Sequence, residues 1–142
     1  MPLFTTDIIA PMMILVAWTM VMWAWMYATR IPAIAAAKME LDPNAPRGSQ
    51  LQQLPAKVRW KADNYNHLME QPTIFYALVL GLAVLGEGDG INLYMAWAYV
   101  VVRIVHSLVQ ALVNNIMLRF GLFALSNIPL LVLTFNGVMA AF

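Results

Sequence analysis

The sequence predicts an all-α integral membrane protein, folded as one domain over residues 1–142 with a bundle of four transmembrane helices. Its composition is the first reason. Hydrophobic residues make up 62% of the chain and charged residues 11%, whereas a typical soluble domain has about 25% charged residues. A soluble protein of 142 residues cannot bury that much apolar surface, so a lipid bilayer must be part of its solvent. The second reason is that the apolar residues fall into four long runs.

Charge and cysteine content exclude several other classes of protein. The formal net charge is +1, which gives no basis for binding nucleic acid. The chain has no cysteine, so it has no disulfide, no thiolate metal site and no thiol nucleophile of its own. Any thiol chemistry must therefore use a thiol from another molecule.

The first apolar run extends from Ile8 to Thr29 without a charged residue. At about 1.5 Å per residue it is roughly 33 Å long, enough to cross a hydrocarbon core of about 30 Å. A signal peptide is the alternative, because Ala35–Ala37 resembles a cleavage site. The run is longer than the roughly 7–15 apolar residues of such a peptide, and no basic segment precedes it. We therefore predict a first helix over about residues 8–37.

Three further apolar runs predict the other helices. Within them, Glu70 is the only charge in the apolar part of the second run and Arg103 the only charge in the third. The connections after the second and third runs are very short, so these three helices must be antiparallel neighbours. The predicted helices cover about residues 57–86, 91–118 and 120–142.

The distribution of basic residues predicts the orientation in the membrane. Most of the eight Lys and Arg residues lie in or beside the first loop, and the second connection carries only acidic residues. By the positive-inside rule, the first loop is cytoplasmic and both termini are outside. The basic residues of the loop region are Lys38, Arg47, Lys57, Arg59 and Lys61.

Polar side chains form a continuous face on the predicted third helix. Arg103, His106, Gln110 and Asn114 are spaced so that, at 100° per residue, they cover an arc of about 80°. An Arg near the centre of a membrane helix costs about 2.5–3.5 kcal/mol on insertion scales. This face must therefore point towards protein or water rather than lipid.

Glu70 on the second helix is the deepest acid, and Arg103 is the deepest base, so they are expected to compensate each other. This pair can be purely structural, because interhelical hydrogen bonds contribute about 0.6 kcal/mol on average. Arg119, at the predicted end of the third helix, either extends to the interface and sets topology or holds an anion. No metal site is predicted, because His67 and His106 belong to no cluster with metal-ligand spacing.

Two segments resemble a known family. Residues 57–76, KVRWKADNYNHLMEQPTIFY, and residues 103–123, RIVHSLVQALVNNIMLRFGLF, are similar to the helix-two and helix-three signatures of the MAPEG family, the membrane-associated proteins in eicosanoid and glutathione metabolism. The resemblance extends over essentially the whole chain in length, helix number and topology. The sequence NHLMEQPT is most similar to the bacterial branch of the family, which implies that the protein lies in a bacterial inner membrane.

The resemblance implies a homotrimer that binds glutathione as co-substrate between neighbouring protomers, near the cytoplasmic side. A lipophilic second substrate would enter from the bilayer. Arg119 corresponds to the Arg that stabilises the thiolate, which makes it the predicted catalytic residue. The residues that the resemblance assigns to glutathione binding are Arg30, His67, Glu70, Arg103 and His106.

The chemistry of glutathione is consistent with these residue types. Glutathione carries carboxylates, an ammonium group and a thiol, so it needs arginines, an acid and a group that stabilises the thiolate. A free thiol has a pKa of about 8.5, and a cation within about 4–6 Å can lower a pKa by roughly 1–3 units. Arg119 can supply such a cation.

Three positions depart from the family pattern. Catalytic members similar to the prostaglandin synthase have a hydroxyl residue directly after the second Arg and tyrosines at two further positions, where this chain has Phe120, Phe123 and Gln110. Two hypotheses follow. The chain is either a glutathione-dependent transferase or peroxidase for lipophilic electrophiles, or a non-catalytic MAPEG-fold subunit or lipid-binding scaffold of a larger membrane complex. A transporter is disfavoured, because no inverted repeat or broken helix pair is present.

Overall fold

The computed structural model describes residues 4–142, which form five α-helices and no strand. Three of the helices are each long and apolar enough to cross a bilayer, and two together form the fourth span, Ala56–Val84. The predicted fold class, an all-α bundle of four transmembrane helices, is confirmed. The helices are α1 (Ile9–Ala36), α2 (Ala56–Leu68), α3 (Pro72–Val84), α4 (Gly90–Leu112) and α5 (Ile116–Ala141).

The second span is interrupted between α2 and α3, where the sequence predicted one helix over 57–86. Proline is the cause, because Pro72 lacks the N–H group that would donate to the carbonyl of Leu68. The N–H groups of Met69 and Glu70 instead bond to carbonyls three residues back, at 3.0 and 3.2 Å. Such bonds belong to the tighter 3₁₀ geometry. Glu70 therefore lies at an irregular turn between the two helices of the second span.

The predicted third helix, over 91–118, is too long. It ends at Leu112, because Asn114 adopts a left-handed backbone conformation with φ of 52°, which asparagine tolerates better than most residues. Asn115 then caps α5 by accepting the N–H three residues on at 3.0 Å. Arg119 consequently lies in the first turn of α5 and not at the end of the preceding helix.

α4 occupies the centre of the bundle, where it packs against α1, α2 and α5. The rings of Phe75 on α3 and Tyr99 on α4 stack with their centroids 4.5 Å apart. Large apolar side chains remain exposed on α1, α3, α4 and α5, as expected for surfaces that face lipid. The other members of the core cluster include Leu15, Met22, Val79, Leu82 and Leu133.

Side-chain hydrogen bonds connect the helices at several levels. Each joins two different membrane spans, so the bundle is held by polar contacts as well as by packing. The bonds join Trp18 to Ser107 at 3.0 Å, Gln71 to Asn127 at 2.6 Å and Asn136 to Asn92 at 2.7 Å.

Candidate functional site

Polar side chains of α2 and α4 meet at one level of the bundle. The imidazole rings of His67 on α2 and His106 on α4 stack, with centroids 4.8 Å apart and planes 19° from parallel. Nη2 of Arg103 lies 2.9 Å from Nδ1 of His67. Because a guanidinium can only donate, Nδ1 is the acceptor, so a neutral His67 carries its proton on Nε2. The predicted polar face of α4 therefore points at α2, inside the bundle.

The first turns of α5 close this cluster from a third side. The ring of Phe123 meets the ring of His67 edge-on, with centroids 5.6 Å apart, and also lies 6.5 Å from that of His106. The residues line an open cavity of about 240 Å³. Two imidazoles and one guanidinium thus share a small space with apolar side chains. The cavity is lined by His67, His106, Ile116, Arg119, Phe120 and Phe123.

Arg119 supplies the guanidinium of this cavity. Its Nη1 donates a hydrogen bond to Oδ1 of Asn114 at 2.7 Å. Its Nε atom is buried and has no hydrogen-bond partner. The side chain is therefore fixed at one nitrogen and retains an unused donor at another, an arrangement that can bind an anion.

Arg103 contacts His67 of the cavity wall and is completely buried, with 0% of its surface exposed. Its Nε and Nη1 atoms have no hydrogen-bond partner. The rings of Tyr99 and Phe123 lie 6.0 and 5.8 Å from its guanidinium carbon, within cation–π range. A buried charge with so little hydrogen bonding is costly, so this group is set up to interact with a further anion or dipole.

The expected pair between Glu70 and Arg103 does not form within one chain. His67, one turn before Glu70, takes the hydrogen bond of the guanidinium, and the Glu70 side chain is exposed. The sequence left open whether Glu70 and Arg103 meet within one chain or between chains, and within the described chain they do not pair. A contact between Glu70 and an arginine of a neighbouring chain stays a prediction.

Arg30 lies in a different place from the other predicted site residues. It lines a second cavity, together with Arg47 and Arg59, between the end of α1, the first loop and α2. Of the six predicted residues, the structure thus brings four into one cluster and leaves Arg30 and Glu70 outside it within a single chain. The four clustered residues are His67, Arg103, His106 and Arg119.

Sequence reasoning missed the part that Asn114 plays. It counted this residue with the polar face of α4, whereas the side chain orients Arg119 across the corner into α5. The signal was present in the adjacent pair Asn114 and Asn115, because asparagine is favoured both in left-handed conformations and as a helix N-cap. Such a pair in an apolar stretch indicates a helix boundary.

Metal binding finds no support in this geometry. Residues 4–142 contain no group of three or more His, Cys, Asp or Glu side chains that could hold a metal ion. The rings of His67 and His106 lie nearly parallel to each other, so their nitrogen lone pairs do not converge on one point. The cluster is better suited to an anionic ligand beside an arginine.

Comparison with known proteins identifies the family. A profile of the MAPEG family matches residues 8–139, which is nearly the whole chain. Neither the curated proteins nor the solved structures that were compared contain a match to the chain. The extent of the family match agrees with the four membrane-spanning helices and with the two segments whose sequences resemble the family signatures. The chain is therefore an integral membrane protein that belongs to the MAPEG family.

Proposed function

We propose that this protein is a glutathione-dependent transferase or peroxidase that acts on lipophilic electrophiles. The observation that carries the proposal is the placement of Arg119 in a cavity with His67 and His106. The guanidinium is oriented by Asn114 and keeps an unpartnered Nε, as a group that receives a thiolate should. Membership of the MAPEG family supports glutathione as the source of that thiol.

The proposed chemistry uses the thiolate as the nucleophile. With an aryl halide, the sulfur attacks the ring carbon, a C–S bond forms, and the halide leaves with the bonding electron pair. The thiol proton passes to water before the attack. Arg119 stabilises the negative sulfur by charge, which raises the fraction of thiolate at neutral pH. In this proposal Arg103, whose Nε and Nη1 atoms have no hydrogen-bond partner, binds a carboxylate of glutathione.

A homotrimer is part of this proposal. The Glu70 side chain is exposed on the single chain within the second membrane span, where an isolated carboxylate is costly. A neighbouring chain that packs on this surface would shield Glu70 and complete the site with the acid that receives the glutathione amino group. Arg30 would then contribute from the same or the adjacent chain. We place the first loop in the cytoplasm of a bacterial cell, with the protein in the inner membrane.

Glutathione binding to the purified, detergent-solubilised protein tests the proposal directly. We expect saturable binding by calorimetry and conjugation of chlorodinitrobenzene. Arg119→Gln and Glu70→Gln should each weaken binding or lower the rate at least tenfold. Lys57→Gln is the matched control, because it removes one charge from an exposed position outside the cavity. No binding at millimolar glutathione, with the oligomer intact, would overturn the proposal.

A non-catalytic subunit or lipid-binding scaffold is the second candidate, and Phe123 is the observation that favours it. An apolar ring packs against both imidazoles, at a position where the family resemblance implies a hydroxyl group. Phe120 is likewise apolar and 66% exposed. This function predicts that the protein co-purifies with a defined membrane partner and does not bind glutathione. Purification of the homo-oligomer alone, with glutathione bound, counts against it.

A further inference from the structure

The second cavity, of about 380 Å³, lies between the last turns of α1, the first loop and the first turns of α2. Three arginines from three separate segments line it, Arg30 on α1, Arg47 in the loop and Arg59 on α2. Asp63 is the only carboxylate in its wall. The lining therefore has an excess of two positive charges. The remaining lining residues are Gly48, Leu51, Gln52, Leu54, Val58, Ala62 and Asn66.

An excess of like charge around a concave surface focuses the electrostatic potential there and attracts anions. Three guanidinium groups offer planar pairs of N–H donors, which match the oxygen atoms of a phosphate group better than ammonium groups do. The amides of Gln52 and Asn66 add neutral donors in the same wall. The chemistry of the cavity is thus that of a phosphate site.

The position of the cavity along the membrane normal points to the same ligand. Arg30 lies in the last turns of a helix that is long and apolar enough to span a bilayer. One and two turns deeper on that helix, Tyr27 and Trp23 are exposed and meet edge-on, with centroids 5.3 Å apart. Tyr and Trp are enriched at the level of the lipid headgroups. A basic cavity at this level is where an anionic phospholipid presents its phosphate.

We propose that the cavity of Arg30, Arg47 and Arg59 is a binding site for the phosphate group of an anionic phospholipid headgroup or of a soluble phosphate. The bound phosphate links the first loop, through Arg47, to the ends of α1 and α2. The site is separate from the cavity of Arg119. It shares Arg30 with the proposed glutathione site, so its test omits glutathione and varies Arg47 and Arg59 instead of Arg30. Its occupation stabilises the folded chain, because a ligand that binds only the native state raises the free energy of unfolding.

Thermal unfolding of the purified full chain, followed by tryptophan fluorescence in glutathione-free buffer, tests this site. The probes are a short-chain phosphatidylglycerol, the matched phosphatidylcholine, and sodium phosphate against sodium chloride of equal ionic strength. We expect phosphatidylglycerol to raise the Tm saturably and phosphatidylcholine to leave it unchanged. A rise with sodium phosphate as well shows that the phosphate group is sufficient, whereas a rise with the lipid alone identifies the headgroup as ligand.

Two variants link the effect to the cavity. Arg59→Gln should shift the half-saturating concentration of phosphatidylglycerol upward at least threefold, and Arg47→Gln should do the same. Arg47 is exposed in the loop, so its loss leaves the helices intact. Lys57→Gln removes an equal charge beside the cavity without lining it and should retain the wild-type response. An equal rise with phosphatidylcholine, an unchanged response in Arg47→Gln, or an equal loss in Lys57→Gln would overturn the proposal.

Discussion

Arg119 and Asn114 are joined by a hydrogen bond of 2.7 Å between Nη1 and Oδ1, which spans the corner from α4 to α5. Asn114 is also the residue whose left-handed backbone forms that corner. One side chain thus ends a membrane helix and orients the cation of the cavity. The position of Arg119 depends on the geometry of the corner as much as on its own helix.

Replacing Asn114 separates these two roles. Asn114→Gly keeps the left-handed backbone at no steric cost but removes the bond to Arg119, so we expect an unchanged Tm and severalfold weaker glutathione binding. Asn114→Ala removes the same bond but keeps a Cβ atom in a left-handed conformation, so it should be about 1–2 kcal/mol less stable than Asn114→Gly. Thermal unfolding and calorimetric titration of both variants measure the difference. Equal Tm values for the two variants would show that the backbone conformation is not limiting.

The fold was predictable because membrane spans have a strong signal in the sequence. Four apolar runs of sufficient length can be recognised from the hydropathy along the sequence. A polar arc such as that of Arg103 and His106 must face the interior of the bundle. Helix ends within apolar runs were not predictable in this way. The break before Pro72 and the corner at Asn114 arise from single residues whose backbone preferences act against the surrounding apolar pattern.

The candidate site was only partly predictable for a related reason. Arg103 and His106 were found because they share one face of a membrane helix, whereas His67 and Arg119 were assigned from the family resemblance. The side chain that pairs with Arg103 was not found. His67 and Glu70 lie about one turn apart, so their spacing in the sequence does not show which of them bonds to Arg103. That depends on the backbone geometry at the break between α2 and α3. Glu70 is exposed in one chain, so its partner depends on how chains associate.

The hydrogen bond between Gln71 and Asn127 is expected to hold the break of the second span against α5. Nε2 of Gln71 donates to Oδ1 of Asn127 at 2.6 Å, and the hydroxyl of Tyr99 donates to Oε1 of Gln71 at 3.2 Å. A double-mutant cycle with Gln71→Ala and Asn127→Ala should give a coupling energy of about 0.6 kcal/mol, and at most about 1.7 kcal/mol. Reversible unfolding in mixed detergent measures it. Strictly additive effects would mean that the bond does not contribute.

Gly88 is expected to tolerate no larger side chain. A Cβ atom at this position would overlap the backbone oxygen of Thr5 and lie 2.9 Å from Cγ2 of Ile8. Overpacking of this kind costs about 1–3 kcal/mol, so Gly88→Ala should lower the free energy of unfolding by that amount. Gly121→Ala is the control, because nothing lies within 4 Å of its added Cβ. Thermal unfolding of both variants is the measurement, and a Gly88→Ala protein as stable as the control would contradict this packing.

Phe120→Ser is expected to increase thiol reactivity if Arg119 receives the thiolate. A hydroxyl beside the guanidinium can donate to the sulfur, and hydrogen bonding to the charged form lowers a pKa. The pH at which conjugation of chlorodinitrobenzene reaches half its maximum should therefore fall. Phe120 is 66% exposed, so the change opens no core cavity, and Phe135→Ser on the same helix is a control with the same exposed fraction, 66%. An equal shift in both variants would point to a general effect on the protein. The absence of activity in every variant, together with the absence of glutathione binding, would favour the scaffold function over the enzyme.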